Sequence, residues 1–127
     1  MVPRDWANGL EQLQLADKTI GQFSKKLEDD GLRDKTLVIL IGDNGRCMPR
    51  GKQFLYDGGI GIPLLMQWPG HIEAGTVCDD LVNTLDICKT TIDLAGVQPP
   101  HPLHGTNLFG VAIKRPPVHI CSSRQNG

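Results

Sequence analysis

A chain of 127 residues suits one domain of ordinary size with a single hydrophobic core, and is too short for a two-domain reading. Its composition, 39% apolar and 21% charged with a formal net charge of −1, excludes a disordered chain, and it carries neither a basic excess for nucleic acid nor an acidic tail. The longest apolar run, Leu37 to Ile41, is far too short to span a membrane, and the N-terminus lacks the charged-then-apolar order of a signal peptide, so localisation is not legible.

From Leu10 to Leu27 the apolar residues Leu10, Leu13, Ala16, Ile20, Phe23 and Leu27 recur at spacings of three and four, which predicts one buried face of a helix. Lys25, Lys26, Glu28 and Asp29 then face water, Gly31 stops the helix as a C-terminal cap, and Asp34-Lys35 turns the chain. Thr36 to Ile41 is β-branched and aliphatic without alternation, as in a strand covered on both faces. Residues 42–62 are glycine-rich and hold no long periodic segment, which predicts an extended loop long enough to suggest function.

Pro63 to Trp68 reads as a second short buried strand, ended by Pro69-Gly70, and Asp80 to Val82 as a brief strand or lead-in. Thr84 to Ala95 reads as a helix with Thr84 as N-cap, Leu85, Cys88, Thr91, Ile92 and Ala95 on one face, and Gly96 as C-cap. Residues 1–113 are thus read as the domain and 114–127 as a polar, poorly ordered tail. The order helix, strand, loop, strand, helix suits an α/β layer architecture with a mainly parallel sheet, in which ligands gather beyond the carboxyl ends of the strands. Asp43-Asn44 sits at such an end.

The four cysteines, Cys47, Cys78, Cys88 and Cys121, form no CxxC pair, which leaves zinc ribbon and thioredoxin motifs unsupported and predicts unlinked or buried thiols. Asp43, Asn44, Arg46, Arg50 and Lys52 instead lie within ten residues on the glycine-rich segment. A carboxylate beside an amide oxygen suits Ca²⁺ or Mg²⁺, and the lack of nearby histidine argues against zinc. The Lys52 ammonium can donate to a sulfate or phosphate oxygen and balance charge on a leaving group. Asn44-Gly45 also reads as a tight hairpin turn, although Arg46 to Gly51, with its charges, proline and glycine, is a poor returning strand. Arg46 and Arg50 by themselves read equally as solvated loop residues. A P-loop is excluded, since five residues separate Gly45 from Gly51 and Gln53 follows Lys52.

Three stretches carry a family resemblance. Thr36-Leu37-Val38-Ile39-Leu40-Ile41-Gly42-Asp43-Asn44-Gly45 resembles the sulfatase segment in which a buried strand delivers an Asp-Asn pair to a metal. Gly51-Lys52-Gln53-Phe54-Leu55-Tyr56-Asp57-Gly58-Gly59-Ile60-Gly61-Ile62-Pro63, with Trp68-Pro69-Gly70 after it, is similar to the family's glycine-lysine signature and following strand. Leu85-Asp86-Ile87 through Ile92-Asp93-Leu94-Ala95-Gly96 resembles the next helix. Together they span residues 9–110 and imply the C-terminal part of an alkaline-phosphatase-like α/β/α sandwich. By this resemblance Asp43 and Asn44 are metal ligands, for Ca²⁺ in preference to Mg²⁺, Lys52 contacts the sulfate, and Arg46 and Arg50 bind substrate. Arg46 just after Gly45 looks closest to the groups acting on sulfated sugars.

The family mechanism uses a cysteine converted to formylglycine, in a Cys-x-Pro-Ser-Arg or Cys-x-Ala-x-Arg motif upstream of the Asp-Asn pair, with an Asp-Asp metal pair earlier still. Neither element is found here, and Cys47-Met48-Pro49-Arg50 is one residue short and follows the metal pair. Gly61, where arginine is frequent, and Lys89, where proline usually precedes the threonine, also depart from the pattern. The resemblance therefore implies a sulfuric ester hydrolase fragment that is inactive in isolation, with a sulfate ester as substrate. A phosphoesterase of the same superfamily and a non-catalytic α/β remnant or interaction module are the alternative readings.

Overall fold

The computed structural model describes residues 3–45 and 51–109. In chain order it contains α1 (Pro3–Asp29), a 3-10 turn (Arg33–Lys35), β1 (Val38–Ile41), a short α2 (Asp57–Ile60), β2 (Leu64–Gln67) and α3 (Thr84–Leu94). The chain divides into two compact units, Met1–Thr76 and Val77–Gly127. The tail expected at 114–127 lies outside the described residues, as do Arg46, Cys47, Arg50 and Cys121.

In the first unit, α1 begins well upstream of the predicted Leu10. Pro3 fits the first turn, where a missing N–H costs no hydrogen bond, and Asp5 complements the helix dipole there. The helix stops where expected. Gly31 takes φ +66°, the Gly31 N–H donates to the Glu28 carbonyl, and the Leu32 N–H donates to the Leu27 carbonyl, which together make a Schellman cap. Lys25–Asp29 and Lys26–Asp30 pair one turn apart on the solvated face.

β1 and β2 pair antiparallel, with Val38 opposite Gln67 and Ile41 opposite Leu64. The Gly42 N–H donates to the Pro63 carbonyl at 3.3 Å and carries the ladder one step further. The mainly parallel sheet expected from the element order is not what these two strands form. A parallel return requires a crossover of a dozen or more residues, usually a long helix, whereas the described part of the connection holds only the four-residue α2. The alternative reading of Asn44-Gly45 as a hairpin turn needs a returning strand at residues 46–51, most of which lie outside the described residues; among the described residues β1 pairs with β2.

The expected core is not formed among the described residues, since no apolar side chain there is buried. Leu10, Leu13 and Phe23 on the apolar stripe of α1 are each more than half exposed, and only Ile20, Ser24 and Leu27 are half-buried. β1 is likewise not covered on both faces, with Val38 and Ile39 half-buried but Leu40 and Ile41 exposed. A sheet buries its faces only against opposing layers, and two strands with one helix supply too little of them.

In the second unit, α3 is capped one residue before the expected Thr84. The N-cap is Asn83, whose side chain accepts from the Leu85 and Asp86 N–H groups, while Asp86 accepts from the Asn83 N–H to complete a capping box. Gly96, at φ +66°, ends it in a second Schellman cap, with the Val97 N–H donating to the Ile92 carbonyl. Of the residues predicted to face inward, Leu85, Cys88, Thr91 and Ala95 are exposed and Ile92 is half-buried, while the buried ones are Asp86 and Thr90. The reason is a polar demand from residues 106–108. Asp86 accepts the Thr106 N–H at 2.7 Å, Thr90 Oγ1 accepts the Leu108 N–H at 2.8 Å, and Asp93 accepts from the Asn107 side-chain amide at 3.0 Å. The two backbone N–H groups and the Asn107 side-chain amide must be matched once they leave water, and the polar row of the helix matches them. Residues 80–82, read as a brief strand or a lead-in, are irregular lead-in, and Cys78 and Cys88 are exposed free thiols.

Candidate functional site

β1 delivers Asp43 and Asn44 to its carboxyl end, where both side chains are exposed. The local geometry is an Asx-type bend in which Asp43 Oδ1 accepts the Asn44 N–H at 3.0 Å. Gly45 follows, buried, and its N–H donates to the Gly59 carbonyl at 2.9 Å. A Cβ on Gly45 would fall 2.1 Å from the Gly58 carbonyl oxygen, so the two backbones meet with no room for a side chain.

Gly59 is the point at which the glycine-lysine segment joins the same site. A Cβ there would lie 2.1 Å from the Phe54 carbonyl oxygen and 2.5 Å from that of Gly51. Gly51 is buried in turn, and its carbonyl accepts the Phe54 N–H at 2.9 Å, closing a tight turn around Lys52 and Gln53. Asn44 and Lys52 are thus each one residue from a glycine that touches Gly59. The structure brings Asp43, Asn44 and Lys52 onto adjoining backbone segments. Arg46 and Arg50 lie outside the described residues.

Asp43 and Asn44 are hard-oxygen donors suited to an alkaline-earth cation, but Ca²⁺ takes about six to eight oxygens. Among the described residues no three His, Cys, Asp or Glu side chains gather into a metal site. The described residues therefore supply part of a coordination sphere. A separate cavity of about 270 Å³, lined among others by Lys25, Glu28, Arg33, Thr36 and Gln67, lies at the opposite end of the strand pair. Its charges are compensated, since Lys25 pairs with Asp29 and Arg33 with Glu28.

The structural part of Gly45, Gly58 and Gly59 was not legible from spacing, because close approach is a long-range property. The Asn83 cap had a local signal, an Asn followed three residues later by Asp86 ahead of apolar residues.

Two oxygen-bearing side chains at a strand end thus lie on a backbone segment that adjoins the one carrying a lysine, in a chain of α and β elements. The family model for the N-sulphoglucosamine sulphohydrolase C-terminal region matches residues 50–120, more than half of the chain. The ulvan-active sulfatase of Formosa agariphila is 30% identical over 87% of this chain and 18% of its own length. Human N-acetylgalactosamine-6-sulfatase is 35% identical over 77% of this chain and 22% of its own, and human arylsulfatase A 35% over 72% and 20%. The chain belongs to the sulfatase family, and that membership implies an alkaline-phosphatase-like α/β fold. It spans about a fifth of the length of these relatives.

Proposed function

We propose that this chain is part of a sulfuric ester hydrolase acting on sulfated saccharides, in which Asp43 and Asn44 ligate Ca²⁺ in preference to Mg²⁺ and Lys52 contacts the sulfate. The observation that carries the reading is the coupling of Gly45 and Gly51 through Gly59, which holds the donor pair and the lysine in one unit. When bound, the cation would withdraw charge from the sulfate oxygens. Lys52 donates to one of those oxygens and balances charge as the ester bond breaks, and Arg46 and Arg50 add cationic contacts to substrate. Sulfate is favoured over phosphate because the relatives above are named as sulfatases, two of them for saccharide substrates. On this reading β1 and β2 belong to a larger, mainly parallel sheet in an α/β/α sandwich.

The formylglycine nucleophile and the first metal pair have no counterpart in the 127 residues, so the isolated chain is inactive. Hydrolysis of an aryl sulfate by the purified, sequence-verified chain would overturn that conclusion. The metal role is tested by thermal unfolding under calcium titration, since a ligand that binds only the folded state raises its stability. The expected result is a rise in Tm at millimolar Ca²⁺ that is smaller with Mg²⁺ and lost in Asp43→Ala. A wild-type Tm indifferent to Ca²⁺ would remove Asp43 and Asn44 as ligands.

A further inference from the structure

Asn44-Gly45 is an Asn-Gly pair, and the chain carries two others, Asn8-Gly9 and Asn126-Gly127, the last outside the described residues. Asparagine is thermolabile, and most so in this dipeptide. Its side-chain carbonyl carbon, Cγ, is one five-membered ring away from the nitrogen of the next residue, and glycine places no Cβ in the path of that closure.

The two described pairs differ in how that nitrogen is held. Gly9 lies within α1, where helical geometry fixes the backbone and commits its N–H to a carbonyl four residues back. Asn44-Gly45 lies outside any helix or strand. Asn44 is exposed there, while Gly45 is buried and its N–H donates to the Gly59 carbonyl at 2.9 Å. The attacking group in ring closure is the Gly45 nitrogen without its proton. A carbonyl oxygen accepts a hydrogen bond but does not take the proton away, and burial keeps hydroxide from reaching it. One tertiary contact therefore separates an exposed amide carbon from the nitrogen beside it.

We propose that Asn44-Gly45 is a deamidation site gated by the contact between Gly45 and Gly59. When the contact opens, hydroxide removes the Gly45 amide proton and the nitrogen bonds to Asn44 Cγ. The bond from Cγ to Nδ2 then breaks, and Nδ2 takes a proton from water and leaves as ammonia. Water next adds to one of the two carbonyls of the succinimide ring. Opening at Cγ leaves an aspartyl residue at position 44, and opening at the backbone carbonyl leaves an isoaspartyl residue, which adds a methylene to the main chain. No co-reactant beyond water is consumed. Either product places a second carboxylate next to Asp43, at the end of β1, so the charge of the donor pair becomes a record of how often the contact has opened. The inference uses only backbone geometry and stands apart from the sulfatase reading.

The test incubates the 127-residue chain at mildly alkaline pH, in buffer and in guanidinium chloride, and follows each asparagine by peptide mass mapping. Electron-transfer fragmentation separates the aspartyl from the isoaspartyl product. Asn44 is expected to convert readily in denaturant and about tenfold or more slowly in the folded chain, as the loss of one protecting hydrogen bond implies. Hydrogen exchange at the Gly45 amide should be slowed by the same factor, because both reactions begin by removing the same proton. Gly59→Ala should bring Asn44 conversion in buffer toward the denatured rate and leave Asn8 unchanged. Should that variant unfold, Asn8 also accelerates, and the match between exchange and conversion in the wild type decides. Equal Asn44 rates in buffer and denaturant overturn the gate. So does a slowing that differs from that of Gly45 exchange, or a folded Gly59→Ala chain in which Asn44 stays slow. Absence of Asn44 conversion even in denaturant removes the site altogether.

Discussion

Gly45 and Gly59 meet backbone to backbone, the Gly45 N–H donating to the Gly59 carbonyl at 2.9 Å, and this contact joins the strand end bearing Asp43 to the turn bearing Lys52. Neither glycine has a positive φ, so the requirement at both is space.

Gly59→Ala should therefore be costly. Its Cβ would meet two carbonyl oxygens, and the backbone rather than a flexible side chain would have to move, at about 1–3 kcal/mol. Gly21→Ala in α1 is the contrast, because nothing lies within 4 Å of a Cβ there and alanine favours a helix interior by about 0.5–1 kcal/mol. Thermal melts should move in opposite directions for the two variants, and Gly59→Ala should also weaken sulfate binding.

Asn83→Ala removes the acceptor for two amide donors at the start of α3 and should cost about 1 kcal/mol. Asn83→Asp retains an acceptor at the same place and should cost less. Urea unfolding followed by circular dichroism separates the two, and equal losses would show that the capping oxygen is not what matters.

Thr90 is fully buried, and its hydroxyl donates to the Asp86 carbonyl while accepting the Leu108 N–H. Thr90→Val keeps the shape but strips the Leu108 N–H of this acceptor, at an expected cost of about 1–3 kcal/mol. Thr90→Ser keeps the hydroxyl and should retain slow hydrogen exchange at the Leu108 amide, which Thr90→Val should lose.

Lys89 donates a hydrogen bond to Asp93, and this, with the Asn107 amide, holds the Asp93 carboxyl below its ordinary value of 3.8. A depressed native pKa binds protons less readily than the unfolded chain does, so its stabilisation is present above about that ordinary value and fades as pH falls through the lower native one. The Tm difference between wild type and Asp93→Ala should be constant near neutral pH and shrink below pH 3.8. The effect should be small, because both partners of the pair are roughly a third exposed and water screens them.

Much of the first unit was legible locally. The three-and-four spacing from Leu10 to Leu27 marked α1, Gly31 marked its end, and the aliphatic runs before Gly42 and after Pro63 marked both strands. The family, too, was legible in contiguous residues, since the resemblance lay in the segments Asp43-Asn44-Gly45 and Gly51-Lys52 and the family model matches residues 50–120. Such features depend on neighbours a few residues apart, and a linear reading contains all of them.

Three features were decided only by the tertiary structure. β1 took an antiparallel partner, α3 turned Asp86 and Thr90 inward where Leu85 and Cys88 were expected, and Gly59 met the backbone of both Gly45 and the Gly51 turn. Each depends on groups distant in sequence that must be matched in space, such as the free edge of a strand, the amides of Thr106 and Leu108, or two backbones competing for one volume. Sequence by itself determined where the helices and strands lie and which family the chain resembles; the folded chain decided which backbone segments adjoin, because steric exclusion and the pairing of desolvated amides act only once distant segments meet.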